Sequence, residues 1–531
     1  MTKIKKIFSN YHIAFITISF LTTCKIILFT NKFNNCNTSV FDGVIYNYQQ
    51  ITRYLNFKND FSLINRFNQG YYEYIGNYVT GFYNAVICVL SPTLLKNDWD
   101  IYTRTFLTLT VFSLSLYTYF KSYVPKNKLI VSIFIIIQFP IFYHYRVGLG
   151  TYLPETPAGI IIISGYLIFL KFLENESRRL FLVSVVLLLI PTLIRFNFIV
   201  YTFILIIPIS ILFILKFKNL KHKKTYILSI TFILTSIIYH FIFCYDKFIL
   251  YYTKIAYFYG NIIESSHYLK QDLNNILGVE SFVELIIISI LIGLYKIKQL
   301  SIYNLLLLMY PFIFYFYFIV IYLKSTNVPH IISVLIIFLI LFLFPFCLIF
   351  TKKTQNENSS KNKYLTIFLW LIIVFQNINY IDKYMKIKTL NENKITSKVA
   401  DILIEASKEK KIKYMTFYDA MQETRINTEV FKKTNKFSQN KIQFYTHDIF
   451  FKNLINCKNS YDCFNIYKND IIKEKYDFIF INKHDNKIFH KNSLLINRKV
   501  RKFLKLNSEY SLITTIKDDY IGETYCYKLK N

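Results

Sequence analysis

Glycine and proline are scarce in this chain, with 12 glycines and 10 prolines in 531 residues. That excludes collagen-like repeats and Pro/Gly-rich low-complexity disorder. No Cys/His cluster has zinc-ligand spacing, and no RNA- or DNA-binding motif is present, which argues against nucleic acid as a partner. Acidic residues are few, 32 against 63 lysines and arginines, which leaves a net charge of +31. No small-residue cleavage site follows the first apolar stretch, so it does not read as a removable signal. No internal repeat is evident.

What is there is apolar: 53% hydrophobic and 19% aromatic residues. That composition is too apolar and too strongly segmented for a soluble enzyme. Lys, Asn, Ile, Tyr and Phe dominate, a bias a genome can impose, so a single lysine carries little information. The positive charge reads first as Lys-rich loops on one membrane face plus a basic tail. A sharper reading is attraction to anionic lipid or phosphate. Of the eight cysteines, Cys24, Cys88, Cys244 and Cys347 sit in apolar stretches and read as small hydrophobes. Cys457 and Cys463 lie close together in the polar tail, where a disulfide and two free thiols are both open readings.

A helix needs roughly 20 apolar residues to cross a bilayer. The sequence offers 11–30, 78–93, 101–120, 128–145, 156–173, 180–194, 197–216, 225–244, 281–295, 302–323, 330–350 and 363–379. Basic residues concentrate at Lys3/Lys5/Lys6, Lys121/Lys126/Lys128, Lys171/Arg178/Arg179, Lys216–Lys224, Lys296/Lys298 and Lys352–Lys363. By the positive-inside rule these face the cytoplasm. A crossing at 78–93 would put the 121–128 loop outside, against the rule. The stretch is short and follows the aromatic run GYYEYIGNYVTGFYN, so residues 31–100 read as one long outer loop with interfacial helices. This leaves about 11 spans, N-terminus inside and C-terminus outside; a crossing at 78–93 would make about 12. The expected fold is therefore a mainly α polytopic bundle over residues 1–380, placed in the plasma membrane. Residues 381–531 are polar and Lys-rich. TSKVADILIEASKE at 396–409 has helical spacing, and IKYMTFYDA, IQFYT, YDFIFIN, YSLITTI and ETYCYKL read as strands. That pattern predicts a small extracytoplasmic α/β domain.

Charged groups at a membrane boundary are costly and tend to be functional. Asp42 lies in FDGVIYNYQQITRY, just past the first span, amid Tyr46, Tyr48, Arg53 and Tyr54. A solvated loop aspartate is the plainer reading. Glu155, in GLGTYLPETPAG, precedes another span, and equally fits a helix start. Arginine is rare, ten in all, and seven fall between residues 53 and 195. Amid so many lysines, that choice points to bidentate contact with phosphate. Arg104, Arg146 (with His144) and Arg195 sit at predicted outer span ends, although Arg195 also fits snorkelling to the interface. Lys324 and His330 flank STNVP at another outer boundary, where a structural histidine is the commoner case. Two carboxylates and several cations on one face suit glycosyl transfer from a phosphate-linked lipid.

The layout resembles the integral-membrane GT-C glycosyltransferases, the broad class of protein O-mannosyltransferases and aminoarabinose transferases. FDGVIYNYQQ looks like the first outer loop with its acid. QGYYEYIGNYVTGFYNAVICVLSP looks like the juxtamembrane helix before an Arg-bearing span. YLPETPAGIIIISGYLIFLKF looks like a later outer-loop acid leading into a span, and VPHIISVLIIFLILF like a late span opened by a polar residue. The resemblance implies a polyprenyl-phosphate sugar donor, an outer-face site beside membrane lipids and an inverting transfer. Asp42 would be the base and Glu155 a second acid for acceptor or metal. Arg195, Lys324 and His330 would contact phosphate, with Arg53, Arg104 and Arg146 as further substrate contacts. Gly43 follows Asp42 where many members carry a second acid, and a Pro-Pro pair before the juxtamembrane helix is missing. A divalent metal as cofactor, the sugar and the acceptor stay open. The competing readings are a transporter or flippase of lipid-linked saccharide, and a non-catalytic surface-assembly protein. A transporter would show inverted repeats or broken midplane helices.

Overall fold

The computed structural model describes residues 11–33, 99–122, 126–138, 142, 148–150, 155–194, scattered positions from 213 to 238, 392–417, parts of 426–434, 442–444, 460–483, 491–518 and 522–530. These fall into two compact units. The described part is mainly helical, with one five-stranded sheet.

The first unit contains α1 (Tyr11–Phe33, as far as Phe29), α2 (Trp99–Phe120), α3 (Lys126–Ile137), α4 (Glu155–Asn175) and α5 (Arg178–Ile194). Side-chain contacts fix their directions. His12 and Phe15 of α1 meet Tyr117 of α2, with centroids 6.4 and 5.0 Å apart, while Phe20 meets Phe106 at 6.4 Å. Rising numbers on α1 match falling numbers on α2, so the two run antiparallel. Thr105 of α2 reaches Leu149, just before α4, whereas Lys171 near the end of α4 reaches Ser122 just past α2. Hence α2 and α4 run parallel. α5 turns back after Glu176, whose positive φ of 52° closes α4 as a left-handed cap, with its N–H on the Phe172 carbonyl at 2.6 Å. Gly165 lets α4 and α5 approach closely. Among the described residues, one helical segment, Thr156–Asn175, is both long and apolar enough to cross a bilayer. α3 stops at Ile137, well short of the 128–145 stretch read as a span, and Gln138 turns. Pro140 explains the stop, since proline disfavours helix in the residue before it and brings no N–H.

The second unit contains α6 (Glu392–Ala406), β1 (Ile412–Phe417), β2 (Ile442–Phe444), α7 (Ser460–Glu474), β3 (Phe478–Lys483), α8 (Lys491–Leu506), β4 (Tyr510–Asp518) and β5 (Gly522–Leu529). The strand order is β2-β1-β3-β5-β4. β1 pairs with β2 and β3 in parallel, and β5 is antiparallel to both of its neighbours. Period-2 alternation sorts the side chains into two cores. Ile412, Tyr414, Phe478, Phe480 and Cys526 join Val399 and Leu403 of α6 on one face. Met415, Ile479, Ile481 and Tyr527 join Ile471 of α7 and Val500 of α8 on the other. β3, apolar on both faces, is the central strand such a three-layer sandwich requires. Tyr510 and Ile516 of β4 are an even number apart yet face opposite cores. The register shift between Leu512 and Thr514 explains this, because Ile513 is an extra residue and flips the remaining strand. Asp477 ties the starts of β1 and β3 together, accepting from the Lys413 backbone N–H at 2.9 Å and from Lys410 Nζ at 2.6 Å.

Candidate functional site

The helix directions gather one end of the first unit. There α2 and α4 begin, and α1, α3 and α5 end. Arg104 lies in the second turn of α2 and is half-buried. Its carbonyl accepts the Thr108 hydroxyl at 2.8 Å, an i−4 bond that satisfies a threonine inside an apolar helix. The adjacent Thr105 is buried and donates to the Leu149 carbonyl at 2.8 Å. Leu149 in turn donates its N–H to the Phe142 carbonyl at 2.8 Å. Gly148, Leu149 and Gly150 are all buried. The segment leading to Glu155 is therefore bonded to the helix that carries Arg104. Glu155 itself is the first residue of α4, and its neighbour Thr156 is 1% exposed. Two amino ends and three carboxyl ends meet here, so helix dipoles give this end no net positive charge, and any cationic character must come from side chains.

A further cation at this end is Lys25, which sequence reading passed over. Its Nζ donates to Gln138 Oε1 at 2.9 Å, and Gln138 Nε2 donates to Thr22 Oγ1 at 2.8 Å. The chain of bonds links α1 to the turn after α3 and fixes the amide so that its oxygen faces the ammonium. An available signal was that Lys25 interrupts the apolar run 11–30. At the opposite end, Lys171 is 3% exposed and bonds Glu174 Oε2 and Ser122 Oγ, both at 2.7 Å. This pair closes the far end of the helices, and each of its charges has a partner.

Of the site residues expected from sequence, Arg104 and the helix position of Glu155 are described, and they occur at the same end. Asp42, Arg53, Arg146, Arg195, Lys324 and His330 lie outside the described residues, as do His144 and Cys457. Among the described residues, no group of three His, Cys, Asp or Glu side chains is placed to hold a metal ion. Compared with known proteins, the sequence matches no family model and no curated protein.

Proposed function

We propose that this protein is an integral-membrane glycosyltransferase of the GT-C type, moving a sugar from a polyprenyl-phosphate donor to a lipid, glycan or protein acceptor. The observation that carries this reading is the convergence at one end of the helical unit. Arg104 and the start of α4 at Glu155 belong to that end, and the helices preceding Asp42 and Arg195 finish there. The antiparallel course of α1 and α2 supports the eleven-span reading, in which the stretches 11–30 and 101–120 cross in opposite directions. In that topology the site opens on the outer face of the plasma membrane, the N-terminus is cytoplasmic and the C-terminal α/β domain is outside.

In the reaction, the acceptor hydroxyl oxygen attacks the anomeric carbon as Asp42 takes its proton. The bond from that carbon to the phosphate oxygen breaks on the opposite side, so configuration inverts. The electron pair leaves with the polyprenyl phosphate. Arg104, with Arg53, Arg146, Arg195, Lys324 and His330, neutralises the phosphate charge that grows as this bond breaks. Glu155 orients the acceptor, or a metal if one takes part.

Purified protein supplied with polyprenyl-phosphate sugars should release polyprenyl phosphate. Asp42→Asn should lower kcat about 10²- to 10⁴-fold, the usual contribution of a general base. Arg104→Ala should mainly raise the donor KM. Undiminished transfer by Asp42→Asn would remove that residue from the chemistry. Absence of turnover with every lipid-linked donor would favour a saccharide transporter or an assembly protein.

A further inference from the structure

Helix α8 in the second unit has two unlike sides. Ile496, Val500 and Leu504 are 5%, 0% and 1% exposed and pack on the sheet. Arg501 also turns toward the sheet, its Cζ 5.2 Å from the centre of the Tyr525 ring. The outward side carries Arg498, Lys502 and Lys505, all exposed. Their spacing of four and then three residues aligns them in one stripe. Leu506, 78% exposed, extends the same stripe at its end, four residues after Lys502. No acid occurs anywhere in this helix.

Several lysines of the unit are paired, while others, such as Lys398, Lys411 and Lys473, stand singly elsewhere on its surface. Lys408 meets Glu405 and Lys410 meets Asp477, each at 2.6 Å, and Lys433 meets Asp401 at 2.5 Å. Lys413 pairs with Glu474, and Lys475 lies 3.5 Å from Glu509, the next acid after α8. Among the described residues, Arg498, Lys502 and Lys505 have no carboxylate within ion-pair distance. The stripe is therefore an uncompensated positive surface with an exposed apolar residue at its edge. A soluble polyanion would match the charge alone. A basic stripe ending in an exposed leucine also matches a bilayer surface, where headgroups meet the ends of the acyl chains.

We propose that the outward stripe of α8 docks on anionic phospholipid headgroups of the membrane that holds the chain, keeping the second unit against the bilayer. This rests on the membrane reading above. Tethering makes the encounter intramolecular, so a modest attraction is enough. Each basic side chain near an anionic surface is worth about fivefold in affinity, so three give about a hundredfold preference over neutral lipid.

The test is lysine acetylation of the full-length protein in nanodiscs, read by mass spectrometry. One set of discs is phosphatidylcholine, the other equal parts phosphatidylcholine and phosphatidylglycerol. Labelling of Lys502 and Lys505 should fall about fivefold in the anionic discs, while Lys408 and Lys517 label equally in both. Raising ionic strength to about 1 M, where the screening length is about 3 Å, should restore labelling. In the double variant Arg498→Glu/Lys502→Glu, the protection of Lys505 should disappear while Lys408 is unchanged. Equal labelling in the two discs, or protection by heparin but not by phosphatidylglycerol, would overturn the proposal. Alkaline carbonate washing checks the membrane reading by itself. Release of the chain would overturn both readings, whereas retention with equal labelling would overturn only the docking of α8.

Discussion

Cys526 shows how much one position depends on what surrounds it. It lies on β5 in the core between the sheet and α6, and burial pushes its thiol up to about 12. The thiolate is the reactive form, so in the native protein this cysteine should resist maleimide and label fully only after unfolding. The same shift makes stability depend on pH. The unfolded thiol ionises near its ordinary value of about 9, while the folded one stays protonated up to about 12. Stability is therefore intact below about pH 9 and declines as pH rises through that window. Burial raises Tyr510 as well, with Glu509 adding to it, and burial raises Tyr527, so both act in the same sense. Following Cys526 labelling against denaturant at several pH values should show the midpoint falling above about pH 9; a constant midpoint would contradict the burial. At this scale the sequence was legible where a residue type was rare. Arg104 stood out because arginine is scarce amid abundant lysine. Lys25 did not, because its only local mark is the break it makes in the apolar run 11–30, and its partner Gln138 is 113 residues away.

Among elements, the α4–α5 pair depends on a single small residue. A Cβ at Gly165 would lie 3.0 Å from Leu187 Cβ, from Leu188 Cγ and from the Leu188 backbone nitrogen. A side chain can turn aside, but a helix backbone cannot, so the helices would have to part. Gly165→Ala should cost about 1–3 kcal/mol by overpacking and lower the thermal midpoint of the detergent-solubilised protein. An unchanged midpoint would mean that the two helices separate freely. The strands were the most legible elements: each of the five segments read from alternation coincides with one of β1–β5. Their short β-branched and aromatic runs state a strand locally. The helix read at 396–409 is α6, shifted to Glu392–Ala406. α7 and α8 were not picked out, because their apolar positions are sparse among lysines and asparagines. The extra residue in β4 was also illegible, since a bulge is defined against the partner strand.

For the whole molecule, the membrane reading proposed above turns on the relative directions of the helices. α1 and α2 run in opposite directions, and α2 and α4 in the same direction. A reporter fused after residue 125 should accordingly be cytoplasmic; finding it outside would make 78–93 a crossing and give about twelve spans. The sequence by itself determined where apolar stretches, basic loops and strands fall, because hydrophobic periodicity and charge placement are local properties. It also singled out scarce charged residues at the ends of apolar stretches. The tertiary structure alone decided which ends meet. Thr105 on Leu149, Lys25 on Gln138 and the two faces of the sheet join residues far apart in the chain, and such contacts exist only once helices and strands have packed. Placing the start of α4 beside the helix that bears Arg104 is a result of that packing. So is leaving the basic stripe of α8 outward and unpaired, because its apolar side is held by the sheet.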